Sequence, residues 1–173
     1  MTMESVLMNM ITQKRRNAVG AGNCVGTIND TVPFSAGLVE LTERTFPLPH
    51  GEAYYMFARQ REPDPENTTK ELILSFSKGL ENKSYDLMPD SYHVRLTFAD
   101  NGDPQKPVIY TQSSGTAELE YNTETGILSG TLRKAVVKNL DDDVLKELTL
   151  DVTFSVKGVL ATRRHPIERT LAA

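Results

Sequence analysis

The sequence predicts an all-β protein: an antiparallel β-sandwich or small closed barrel of about eight or nine strands, preceded by a short N-terminal amphipathic helix. Three observations predict it. Apolar and polar residues alternate with period two through most of the chain. Clusters of Asn, Asp, Gly and Pro punctuate those stretches at short intervals. Helical spacing occurs once, near the start, at Met3, Val6, Leu7, Met10 and Ile11, and ends at Lys14, Arg15 and Arg16, cations that suit a helix C-terminus.

Residues 20–23, Gly-Ala-Gly-Asn, form a flexible joint. The chain therefore divides into a helix and linker (1–22), one all-β domain (23–158) and a basic tail (159–173). Segments 24–28 and 31–36 flank Asn29-Asp30, a two-residue turn whose side chains tolerate positive φ. A strand is predicted over 37–46, its inward face left open because Leu38 and Val39 are adjacent and Leu41 follows. After a break at 47–51, segment 53–60 puts Tyr54, Met56 and Ala58 on one face and Tyr55, Phe57 and Arg59 on the other. A polar loop at 62–67 leads to 71–78, with Leu72, Leu74 and Phe76 inward.

The connection 79–90 carries Leu80, Tyr85, Leu87 and Met88, expected to pack over an open end of the core. Segment 91–99 alternates clearly, with Tyr92, Val94, Leu96 and Phe98 on the inward side. Beyond a turn at 100–104, segment 108–112 leads into a hairpin over 115–138, whose loop at 122–126 ends in a glycine expected to be left-handed. A charged connection, 139–147, precedes the last strand, 148–156, with Leu148, Leu150, Val152, Phe154 and Val156 inward.

The run from Gly26 to Ala36, together with Ser114-Gly115-Thr116-Ala117-Glu118-Leu119 and Ser129-Gly130-Thr131-Leu132, resembles small all-β domains of unknown function found in bacterial lipoproteins and secreted proteins. The resemblance spans about residues 24–157. It implies the fold and carries no active residues. The chain departs from that pattern in lacking an export signal or a lipobox cysteine near its start, so as written it is expected in the cytoplasm, with an extracytoplasmic place only if the start or export route differs.

At 173 residues the chain suits one domain with a substantial core. A net charge of −4 offers no global attraction to nucleic acid, and no apolar run is long enough for a membrane helix. The charge is uneven: residues 1–20 and 158–173 each carry +2, leaving −8 between them. The lone Cys24 excludes an intramolecular disulfide and reads as a small apolar strand residue.

No catalytic group, metal site or cofactor is assigned. Asp100-Asn101-Gly102-Asp103 reads as a turn, and Asp141-Asp142-Asp143 as a solvated run. His93, Arg95, Glu118, Glu120, Arg133 and Asp151 would share one sheet surface if their strands pair. The leading expectation is a non-catalytic module for protein interaction or structural assembly, its partner reached through the N-terminal helix or a sheet face. Tyr55 and Phe57 are the candidate exposed aromatics. The alternative is a small barrel binding an apolar ligand, or a cyclase-type pocket, with Met56, Leu74, Leu96 and Phe98 lining the interior.

Overall fold

The computed structural model describes residues 22–62, 68–103, 105–141 and 146–158; the predicted helix and basic tail lie outside them. Among the described residues there are ten strands: β1 (Gly22–Ile28), β2 (Val32–Ser35), β3 (Leu38–Thr45), β4 (Glu52–Arg61), β5 (Thr69–Ser77), β6 (Lys83–Asp86), β7 (Val94–Asp100), β8 (Val108–Asn122), β9 (Ile127–Lys138) and β10 (Glu147–Lys157). Nine form one antiparallel sheet in the order β2-β1-β10-β9-β8-β7-β5-β4-β3, and β6 pairs with β8 off that path. The protein is all-β, and its single sheet curls into a half-barrel.

The curl follows from the chain at the two ends of that order. Edge strands β2 and β3 are joined by only Ala36 and Gly37. Ala36 N–H donates to the Cys24 carbonyl at 2.9 Å, and Gly37 N–H donates to the Arg59 carbonyl, also at 2.9 Å. Consecutive amides thus bind strands at opposite ends of the sheet, which a flat sheet forbids. Near the other end of this seam, the space beside Gly158 is filled by Leu41 Cδ2.

Local turn chemistry sets the hairpins. Asn29 and Asp30 have φ of 52° and 62°, the primed geometry that matches strand twist. At 122–126 the Asn122 carboxamide oxygen accepts from Glu124 N–H at 2.9 Å and Thr125 N–H at 3.1 Å, and Gly126 sits at φ 70°. The inward residues expected of the last strand form the core: Leu150, Val152, Phe154 and Val156 are buried, with Leu148 packed against them. The open question in β3 is resolved by Val39 and Leu41, both buried.

Two expectations are corrected. The connection 79–90 contains a strand, β6, which pairs Lys83 to Asp86 with Leu119 to Thr116. Leu87 is fully buried and Leu80 and Tyr85 pack on the core as expected, but Met88 faces solvent. Tyr92 does not point inward: β7 begins at Val94, and Tyr92 is 47% exposed. Residues 88–91 are used in a turn, with Ser91 N–H on the Met88 carbonyl at 3.1 Å and Arg95 Nη1 on the Ser91 carbonyl at 2.9 Å. Alternation therefore starts two residues later than the sequence pattern suggests.

The long strand β8 has two neighbours on one flank. β7 pairs with it over Val108–Thr111 and β6 over Thr116–Leu119. Between them its register against β9 shifts twice. Gln112 spans the gap: its Oε1 accepts from Leu96 N–H at 2.7 Å, while Nε2 donates to the carbonyls of Met88 (2.7 Å) and Val94 (3.1 Å). A buried side chain supplies hydrogen bonds that the ladder cannot.

Candidate functional site

The ligand-binding alternative rests on the interior of the half-barrel. Met56, Leu74, Leu96 and Phe98 do meet there: Met56 pairs with Leu74, and Leu74 with Leu96. All four are buried in one continuous cluster, where Phe98 meets Phe34 and Tyr110 edge to face at 6.1 and 6.2 Å. Side chains occupy the space in which these residues would hold a ligand.

The outer face of β4, β5, β7 and β8 is different. Strand alternation turns Tyr55 and Phe57 outward, opposite the buried Met56 and Ala58, and both remain partly exposed. Phe57 lies beside Ile73, and Ile109, 47% exposed, lies beside Ala99 on the same face. Arginines flank the two aromatics: the Arg44 guanidinium is 3.8 Å from the Tyr55 ring centre, and that of Arg59 is 5.0 Å from Phe57 while pairing with Glu71 at 3.0 Å. The arrangement is an apolar strip with a charged border. Each arginine stands over one face of its ring.

A concavity lies on the outer face of β6, β8, β9 and β10. It is an open groove of about 610 Å³ lined by Asn82, Lys83, Glu118, Glu120, Thr131 and Ser155 among others. Its hydroxyl and carboxylate groups are the outward residues of ordinary sheet rows, as in Glu118 beside Thr131 and Thr131 beside Thr153.

The six polar residues expected to share a surface do not converge. Arg133 pairs with Glu118 at 3.3 Å, and Glu120 lines the groove. Asp151 accepts from Lys134 N–H at 2.9 Å, supporting a bulge where Lys134 has φ 46°. His93 and Arg95 lie elsewhere, because β7 pairs only with the first part of β8. Among the described residues no group of His, Cys, Asp or Glu is arranged to hold a metal. Asp100 and Asp103 accept from the amides of Gly102 (2.9 Å) and Gln105 (3.0 Å), as turn residues do.

One cluster escapes sequence reading. Ser75 and Ser77 stand on the outward side of β5, yet the 46–51 loop folds over them and buries both with His50. His50 Nε2 is 3.0 Å from Ser75 Oγ, Nδ1 meets the Tyr92 carbonyl, and Ser77 Oγ donates to the His50 carbonyl at 2.8 Å. Burial, with Arg95 and His93 nearby, pulls the imidazole below its usual pKa against the opposing effect of the Tyr92 bond. A serine beside a neutral histidine has the components of a nucleophile pair, but here both are enclosed under the loop.

Cys24 is equally enclosed, and burial pushes its thiol to about 12. In the native protein it is expected to react with a disulfide reagent only as fast as the chain unfolds. Measured at pH 8 with and without denaturant, the native rate should be at least about 100-fold slower.

Comparison with family models, curated proteins and solved structures finds no match for the chain.

Proposed function

We propose that this protein is a non-catalytic module that binds a protein partner through the outer face of its half-barrel sheet. The carrying observation is the contrast between the two faces. The four residues that would line a ligand cavity are buried in a packed core, whereas Ile109 is exposed and Tyr55, Phe57 and Ile73 are half-exposed on the outer face of the same sheet. Association through such a strip removes apolar area from water at roughly 25 cal/mol per Å², and the arginine border would orient the partner.

The test replaces two strip residues that support no core contact. A Phe57→Glu, Ile73→Lys double variant should melt within about 3 °C of the parent, as surface changes do. Cross-linked in an extract of its native cells, the parent should retain a defined partner that the variant loses. Equal capture by both would overturn the reading. So would native mass spectrometry that found a stoichiometric apolar molecule in the purified parent, which would restore the carrier alternative.

A further inference from the structure

We infer that His50 is a proton-operated latch: neutral, it clamps the 46–51 loop onto the outer end of β5, and a second proton on its ring releases that loop. The inference goes beyond the binding reading and does not depend on it.

The clamp is built from three directions. The loop brings the ring itself, with Phe46 tilted against it at 4.9 Å between ring centres. β5 brings Ser75 and Ser77, and the 88–93 segment brings the Tyr92 carbonyl. A carbonyl only accepts, so the partner at Tyr92 places the ring proton on Nδ1. That leaves the Nε2 lone pair to accept from the Ser75 hydroxyl at 3.0 Å. Ser77 Oγ lies 3.2 Å from Nδ1 while donating to the His50 carbonyl at 2.8 Å. The neutral ring is therefore satisfied at both nitrogens.

A proton added at Nε2 points at Ser75 Oγ and reverses that bond. The hydroxyl, which had donated to the ring, must then turn its own proton elsewhere in a buried site. Among the described residues, no carboxylate acts on the new charge. The charged groups that act on the ring are Arg95 from β7 and His93 from the 88–93 segment, both basic. β5 contributes only hydroxyls, and Phe46 contributes an apolar wall. Water is the remaining stabiliser, and it reaches the imidazolium when the loop lifts.

What the loop carries gives release an outcome. Leu48, 88% exposed, sits on the clamped loop. Lifting the loop would also uncover Ser75 and Ser77, one strand from Tyr55. Acidification would thus reshape one end of the molecule while leaving the buried core in place.

The sign follows from the lowered native pKa. Once released, the ring takes a proton near the ordinary value of about 6.5. The clamp is therefore fully effective above that pH and is lost as pH falls through the lower native value. While the released fraction is small, it should rise about tenfold for each pH unit below the free-ring value.

The experiment is an NMR titration of the full chain from pH 8 to pH 4.5, following the His50 ring protons and the loop amides of Phe46, Leu48 and Gly51. His50 should titrate below the ordinary range, and the loop amides should shift with the same midpoint. In His50→Gln, which keeps a donor and an acceptor but takes no proton, those amides should stay still over this range. Should that variant fail to fold, Ser75→Ala serves instead, and it should move the ring and loop midpoints together. Three results would overturn the proposal: a ring that titrates while the loop stays fixed, a loop that keeps its midpoint in His50→Gln, or ring and loop midpoints that separate in Ser75→Ala.

Discussion

Replacing Gly115 by alanine should destabilise the protein by about 3–5 kcal/mol, because backbone strain and steric overlap add at one residue. Gly115 lies in β8 between the segments paired with β7 and β6, at φ +101°, a conformation that L side chains rarely adopt. A Cβ there would overlap the Lys134 carbonyl oxygen and come within 2.6 Å of Ala135 Cα. Backbone cannot step aside as the end of a flexible side chain can, so conformational strain of about 1–3 kcal/mol is joined by an overpacking cost of similar size. The site is also tied on its other flank, since the Gly115 carbonyl accepts from Leu87 N–H at 2.9 Å. Thermal unfolding followed by circular dichroism should show a fall of roughly 10 °C or more. A fall under about 3 °C would mean that the bulge relaxes and that the close approach to β9 is not held rigidly.

Replacing Gln112 by leucine should cost about as much by a different route. The volume is nearly conserved, so the loss is polar. Leu96 N–H and the carbonyls of Met88 and Val94 would all lose a partner at a site where Gln112 is buried. Each unsatisfied buried group costs about 1–3 kcal/mol, and partial relaxation brings the expected total to about 3–5 kcal/mol. A Gln112→Glu companion isolates the donor role. Its carboxylate can still accept from Leu96 N–H but can donate nothing to the two carbonyls, and it buries a charge. Because burial would raise the carboxyl pKa in the folded state, protonation should favour folding. Gln112→Glu should therefore be closer to the parent at pH 4 than at pH 8 once the parent's own pH dependence is subtracted. Denaturant midpoints at the two pH values check this, and an unchanged difference would show that the introduced carboxylate keeps its ordinary pKa in the folded state and is not buried there.

Much of the fold is legible in the residues because strand alternation and turn chemistry are local. Leu72, Leu74 and Phe76, or Val152, Phe154 and Val156, point one way because a pleated strand repeats every two residues. Asn29-Asp30 and the 122–126 loop turn where their side chains and Gly126 allow positive φ. Tyr92 shows the limit of this reasoning. It fits the alternating pattern, but a turn closed by Ser91 and Met88 delays the strand until Val94. β6 was hidden for a related reason: its four residues, Lys83 to Asp86, gain their regularity by pairing with β8 rather than from their own pattern.

By itself, then, the sequence determined an all-β chain, the inward set of most strands and the positions of its tight turns. Tertiary structure alone decided which strands meet. It curled one sheet through the two-residue link between β2 and β3, left His93 and Arg95 away from Glu118 and Glu120, and set Gln112 into the gap between β6 and β7. It also made Ser75 and Ser77 buried partners of His50, although both stand on the polar side of their strand. The physical reason is range. Period and turn preference act over a few residues, whereas strand partners and the loop that covers an outward serine are chosen by contacts between segments distant in the chain, which no local pattern records.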